Sequence, residues 1–212
     1  MPKPKYGVNG SGMHLNLSLS RNGVNVFSDP EDEKGLSREA YWFIGGIMEH
    51  IKAITFITNP IVNSYKRLVP GYEAPVYIAW SAKNRTPLIR IPASSPQSTR
   101  LSLEVPTRLQ ILIWRWQCAW RRGLMESGIR RCRREALTAI SLRWARRQKK
   151  GRDRETAGSL LEAAREFYKD PFIMSVLGEE LSRKYIRAKT KEYAEYREQV
   201  TEWELEKYLH VI

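Results

Sequence analysis

Residues Met13 to Ser20 read Met-His-Leu-Asn-Leu-Ser-Leu-Ser, an alternation of apolar and polar positions. A period of two sends alternate side chains to opposite faces and predicts a half-buried strand. Arg21-Asn22-Gly23 carries turn chemistry, and Val24–Phe27 returns as a second strand. Asp29–Lys34 is a charged loop, after which Ser37 is a candidate N-cap for a helix reaching about Thr55. Asn59-Pro60 closes that helix, because the residue before a proline is pushed out of the helical region. Asn63–Tyr72 reads as loop with a turn at Pro70-Gly71. Pro75–Ala79 and Pro87–Ile91 read as short strands on either side of the polar loop Ser81–Thr86. Gln110–Arg121 shows neither a helical nor a strand face. Leu160–Tyr168 is a short amphipathic helix, Asp170-Pro171 opens another, Leu177–Val200 is long, charged and helical, and Trp203–Leu209 adds a last turn or two. Strands first and helices afterwards indicate an α+β fold.

Composition narrows the classes. With 42% apolar and 28% charged residues over 212 positions, the chain can bury a core and is not a disordered or collagen-like sequence. Its longest apolar stretch, near Tyr41–Thr58, is interrupted by Glu49, His50 and Lys52, so no membrane span is expected. Met1-Pro2-Lys3-Pro4 lacks the apolar run of a secretory signal, and the two cysteines, Cys118 and Cys132, cannot form a disulfide framework. A cytoplasmic setting is expected. The formal charge of +13 by itself suggests a nucleic-acid or anionic partner. That charge is concentrated: residues 101–157 hold 15 basic against 5 acidic side chains, both cysteines and four of the seven tryptophans. Trp114, Trp116 and Trp120 beside the arginines of residues 121–154 would suit base stacking, which defines the nucleic-acid-binding alternative.

Several residues could carry chemistry. Asn9-Gly10-Ser11-Gly12 is a small, flexible loop that lets a ligand approach the backbone, although an ordinary turn has the same composition. His14 follows at a strand start, where a structural role and a metal-ligand role both remain open. Lys66-Arg67, Arg85 and Arg90 lie on separate segments that folding could bring together, and arginine presents a planar fork suited to carboxylate and phosphate. Glu73 lies in the loop after Pro70-Gly71, where a carboxylate could act as a base or simply be solvated.

Together these motifs form a pattern. Asn9-Gly10-Ser11-Gly12-Met13-His14, Thr58-Asn59-Pro60, the unbroken run from Asn63 to Val76, Ser81-Ala82-Lys83-Asn84-Arg85 and Ile89-Arg90-Ile91-Pro92 closely resemble the catalytic domain of type I glutamine synthetases. Residues 158–212 resemble the helical C-terminus of that family. The resemblance implies a partial catalytic domain with a curved antiparallel sheet packed against helices. It divides the chain into residues 1–100, a middle segment 101–157, and residues 158–212. The implied activity is ATP-dependent ligation of ammonia to L-glutamate through γ-glutamyl phosphate, with Mg²⁺ or Mn²⁺. By resemblance, Asn9, Gly10 and Arg67 would contact glutamate, and His14 a divalent ion. Asn16, Ser18, Arg85 and Arg90 would contact ATP, with Arg85 and Arg90 neutralising the transferring phosphoryl group and Arg85, like Glu73, catalytic. Glu73 would shield the site and take a proton from ammonium. Such chemistry suits arginine clamps, because charge gathers on the transferring phosphoryl oxygens. The implied assembly is a double-ringed dodecamer with active sites between neighbouring subunits, in which Trp203–Ile212 could take part.

The chain also departs from the family. Sequence resembling Met1 lies well inside family members, with a β-grasp domain and most metal-binding carboxylates upstream, so this chain is not expected to be active alone; a non-catalytic, co-assembling subunit is the second alternative. The resemblance lapses after Arg100 and resumes at Gly158. Codons can be chosen for Val105–Ser127 that, read one base earlier, spell Ser-Pro-Asp-Pro-Thr-Ala-Asn-Pro-Tyr-Leu and onward as the family does. Leu137–Trp144 and Gly151–Ala157 also spell family-like strings out of frame. Three single-base losses, near Arg100/Leu101, Lys149-Lys150 and Ala157/Gly158, would make residues 101–157 an out-of-frame translation, and their basic charge a by-product. The family's metal-binding Glu then falls at Ser102 and its substrate-binding Arg at Glu104. A segment of that origin is expected to pack poorly.

Overall fold

In the computed structural model the described residues are 1–72, 74–82, 87–93, 95–107 and 155–211. The first long element is helix α1, Arg38–Thr58. Ser37 caps it as anticipated, its hydroxyl accepting the Ala40 N–H at 3.2 Å. Buried Ala40, Ile44, Ile47, Ile51 and Ile54 recur at helical spacing. The last turn is buried all round, which carries the helix on to Thr58 before Asn59-Pro60 stops it. Within the expected loop, α2 (Val62–Tyr65) is a single helical turn.

Four strands form one sheet: β1 (Leu15–Leu17), β4 (Tyr77–Ser81), β5 (Pro87–Arg90) and β6 (Leu101–Leu103), in the order β1-β6-β5-β4. The strand expected over Met13–Ser20 is divided. Its first part pairs with β6, and its second, β2 (Ser20–Arg21), forms a separate hairpin with β3 (Val24–Asn25). Asn22 and Gly23, both at positive φ, make the tight turn between them. β6 is antiparallel to both β1 and β5, as the antiparallel expectation requires, but β4 runs parallel to β5. The sheet is therefore mixed. The five-residue link after β4, Ala82-Lys83-Asn84-Arg85-Thr86, carries no two-residue turn pair that would impose a hairpin, so nothing local demands antiparallel pairing here.

The described edges of the middle segment, residues 101–107 and 155–157, depart from the expectation of poor packing, while residues 108–154 lie outside the described residues. Residues 101–107 are all buried, with Leu101, Leu103 and Val105 at 2% exposure or less. On the far side of the segment, Thr156 donates its N–H to the Val76 carbonyl at 2.8 Å, and Ala157 is buried. Both flanks of the basic segment thus pack well. The reason is local: apolar 101, 103 and 105 alternate with polar 102 and 104, which is a strand pattern whatever its origin. Gln110–Arg121 and the stacking residues Trp114, Trp116 and Trp120 lie outside the described residues.

The C-terminal part adds α3 (Leu160–Tyr168), α4 (Pro171–Leu177), α5 (Glu179–Arg197) and α6 (Glu202–Tyr208). Ser159, Asp170 and Thr201 cap three of them through side-chain oxygens. Gly178, at φ +86°, breaks the expected helix from Leu177 and separates α4 from α5. The helices are held to α1 by aromatic contacts: Phe56 lies 5.2 Å from Phe167 and 4.8 Å from Tyr185, centroid to centroid. His50 Nδ1 of α1 stands 2.6 Å from Asp170 Oδ2, and its ring lies on Phe172. Among the described residues, no helix is long and apolar enough to cross a membrane.

Three tyrosines make this packing sensitive to alkali. Burial raises the phenols of Tyr65 and Tyr185 above their usual range. Burial and the hydrogen bond to Asp32 push Tyr41 up to about 12. The unfolded chain loses these protons near pH 10 while the native chain keeps them, so their stabilisation is complete below pH 10 and declines above it. Urea midpoints are expected to fall between pH 10 and 12, and the Tyr41→Phe variant to fall less steeply. Equal slopes would exclude Tyr41 as a contributor.

Candidate functional site

The site begins with the N-terminal segment, which is anchored before it reaches β1. Lys3 donates its backbone N–H to Asn63 Oδ1 at 2.8 Å, and Asn63 Nδ2 donates back to the Lys3 carbonyl at 2.9 Å. The Lys3 ammonium stands over the Tyr72 ring. Ser11 N–H then bonds to the Pro2 carbonyl at 2.7 Å, folding the glycine-rich loop back on the chain start.

That loop lies against Arg67. A Cβ on Gly12 would come within 2.1 Å of Arg67 Nη2, and one on Gly10 within 2.5 Å of the Pro2 carbonyl oxygen and 3.1 Å of Arg67 Cγ. The close approach that glycine permits is therefore made by the chain's own arginine and backbone. Arg67 is only 4% exposed. Its Nη1 donates to the carbonyls of Val105 (3.0 Å) and Pro106 (3.4 Å), and its Nη2 to that of Glu104 (3.3 Å). Burial lowers its pKa, opposed by the Glu104 charge. Met13 N–H joins the same knot by donating to the Pro106 carbonyl at 2.9 Å.

Beside this knot, three strands present a polar face. His14, Asn16 and Ser18 follow one another at every second position and are exposed. Asn16 is the register partner of Ser102 on β6, and Ser102 is the partner of Arg90 on β5. Glu104, two residues beyond Ser102, gathers this face: His14 Nε2 lies 2.7 Å from its Oε2, Arg90 Nε 3.2 Å from its Oε1, and Ser102 Oγ donates to Oε1 at 2.6 Å. The structure thus brings His14, Asn16 and Arg90 to one face, and Gly10 against Arg67. Asn9 lies on the exposed loop, and Ser18 lies one residue past β1. Glu73 and Arg85 lie outside the described residues. Sequence reasoning noticed Glu104 as a charge reversal but missed its partners. The alternation from Leu101 to Val105 was the available signal, since it puts Ser102 and Glu104 on the same side of β6.

These residues do not fit a divalent cation. Mg²⁺ and Mn²⁺ favour several oxygen ligands, and among the described residues no group of three or more His, Cys, Asp or Glu side chains could hold a metal. Among the described residues, the carboxylate next to His14 is that of Glu104, which is shared with a guanidinium.

The glycine contacts yield a stability test. Gly10→Ala forces a backbone carbonyl to move, and Gly12→Ala displaces a guanidinium tied to three carbonyls. Each is expected to cost about 1–3 kcal/mol of unfolding free energy, as overpacking does. Ser11→Ala, between them, should cost clearly less by the same urea titration.

The comparisons with known proteins agree with the geometry. The family described as "Glutamine synthetase, catalytic domain" matches residues 1–108 and 133–208. The glutamine synthetase of Thermotoga maritima is 43% identical over 226 aligned positions, covering all of this chain and 48% of the relative. That of Methanosarcina mazei is 44% identical over 214 positions, again covering all of this chain and 48% of the relative. The chain spans about half the length of the curated relatives it matches. Among solved structures, a GmaS/ADP complex superposes with a TM-score of 0.74 at 30% identity, over 99% of this chain and 48% of that one. The cryo-EM structure of Plasmodium falciparum glutamine synthetase gives 0.77 at 23% identity, over 98% of this chain and 49% of the other, a likeness of fold. With the matched family region covering most of the chain, and with α+β architecture in common, the chain belongs to the glutamine synthetase family through its catalytic domain.

Proposed function

We propose that the chain is the C-terminal part of an ATP-dependent glutamate–ammonia ligase. The observation that supports this most is the match to the catalytic domain from residue 1 to 108, which contains every candidate site residue. In this reading Asn9, Gly10, Arg67 and Glu73 serve the glutamate end, and Asn16, Ser18, Arg85 and Arg90 serve ATP. Glutamate's side-chain carboxylate takes the γ-phosphoryl group, ADP leaves, and ammonia displaces phosphate from the acyl phosphate. Arginines are suited to this reaction because they balance charge on the phosphoryl oxygens without covalent chemistry. Glu73, as the loop carboxylate, would accept the proton that ammonium releases and keep water from the acyl phosphate. The divalent ion of the family's reaction has no adequate ligand set among the described residues, so no step is assigned to it here. A cytoplasmic oligomer, dodecameric by family, completes the reading.

The middle segment belongs to the same proposal. Residues 101–157 are read as an out-of-frame stretch; the family match breaks only between residues 108 and 133, which supports the reading for that middle part and runs against it at 101–108 and 133–157. Its consequence is chemical, since Glu104 stands where the resemblance puts an arginine.

The test is to resequence the coding DNA across residues 95–160 and upstream, then to assay both versions of the chain, each joined to the upstream half of the Thermotoga maritima relative. ADP release that depends on both glutamate and ammonia is expected from the frame-restored version. In that version Arg90→Ala should lower kcat by about 10²–10³, as loss of one oxyanion donor does. A folded frame-restored chain whose ATP turnover ignores glutamate and ammonia would overturn the ligase reading.

A further inference from the structure

We infer that Glu104 is an internal occupant of an anion-binding site formed by Arg90, Ser102 and His14. The inference rests on the reading that Arg90 and His14 face the substrate-binding side of the sheet, and it adds what now fills the place of a ligand. All three donors come from different strands or strand ends: Arg90 from β5, Ser102 from β6, and His14 from the residue before β1. They converge on the two oxygens of one carboxylate, with Arg90 Nε at 3.2 Å and Ser102 Oγ at 2.6 Å on Oε1, and His14 Nε2 at 2.7 Å on Oε2.

The burial is graded. Glu104's side chain is 8% exposed, Arg90's 26% and His14's 51%, so the carboxylate lies at the inner end of a face that opens to solvent past His14. An arginine, a hydroxyl and an imidazole around one oxyanion are the donor set that a free carboxylate or a phosphoryl group would also use. Glu104 is tethered two residues from Ser102, so its effective concentration at the donors far exceeds that of any solute. An external oxyanion must displace it, and its charge also repels the incoming anion. The same arrangement disfavours a cation beside His14, because the neighbouring carboxylate is already paired with a guanidinium. Removing the Glu104 side chain leaves Arg90 partly buried without its counter-charge, which an oxyanion of suitable size can replace.

The experiment measures thermal unfolding of the full chain at one pH and constant ionic strength, with inorganic phosphate or acetate replacing chloride. Circular dichroism verifies the fold. The expected result is no anion-specific change in the parent chain. Glu104→Ala should instead gain about 3–6 °C in Tm for each tenfold of anion above its Kd, and Glu104→Ala/Arg90→Gln should lose that gain. Phosphate acting alone identifies a phosphoryl site, and acetate acting as well identifies a general carboxylate site. Equal shifts in the parent chain and in Glu104→Ala would overturn the inference, as would a folded Glu104→Ala that responds to neither anion. If Glu104→Ala does not fold in chloride, recovery of native ellipticity with phosphate or acetate supports it, and failure of both Glu104→Ala and Glu104→Ser to recover overturns it. None of these readouts uses ATP or glutamate, so they are separate from the fate of the ligase reading.

Discussion

The buried guanidinium of Arg67 ties together parts of the chain that are distant in sequence. It belongs to the turn after α2, lies under the glycine loop, and donates to three successive carbonyls from Glu104 to Pro106. Those carbonyls follow the end of β6, where the ladder no longer satisfies them. A buried carbonyl without a donor is costly, and hydrogen bonds to a charged group contribute about 1.5–3 kcal/mol each. Arg67 therefore fixes where the chain leaves the sheet. That exit in turn determines where Glu104 stands relative to His14 and Arg90. The glycines at 10 and 12 are a consequence: only residues without a Cβ leave room for the arginine and the Pro2 carbonyl.

This knot also explains why the polar face is compact. Met13 bonds to Pro106 just before Leu15 pairs with Leu103, so the register of β1 against β6 is fixed where the chain enters β1 and leaves β6. Arg90 pairs across to Ser102 from the other side. Three short strands then give one set of side chains, 14 and 16, 90, and 102 and 104, a common outlook. On the opposite side, α1 and α3 meet through Phe56 and Phe167, which makes the sheet a rigid base for whatever binds above it.

Much of this was readable from residue order, and the exceptions are instructive. The cap at Ser37 and the apolar spacing after it located α1, and Asn22-Gly23 located the hairpin, because both signals are local. The glycine loop was recognised, but what approaches it was not, since Arg67 is more than fifty residues away in sequence. β6 lies in the segment set apart for its basic charge, although the alternation from Leu101 to Val105 by itself indicates a strand. The parallel pairing of β4 with β5 has no local signature at all. His14, Arg90 and Glu104 could each be picked out as a charged or ionisable residue. Only strand order reveals that they share one pair of carboxylate oxygens.

The position of that carboxylate is the chemical centre of the matter. Residues two apart on a strand share a face, about 6.6 Å apart along it. By resemblance, a family member places an acid at the position of Ser102 and an arginine at that of Glu104. Here the acid has moved two residues along the same face and no arginine takes its place. The carboxylate still reaches back to Ser102 and His14, which preserves the local polarity of the site. Its charge, however, is taken up by Arg90, so the arginine is engaged within the chain and His14 faces an acid that is already paired. In the proposed reading, one two-residue displacement would weaken cation binding and anion binding together, while Leu101, Leu103 and Val105 remain buried in the core. In the inferred arrangement, a chain of this kind folds like its relatives while one of its own side chains occupies the anion site.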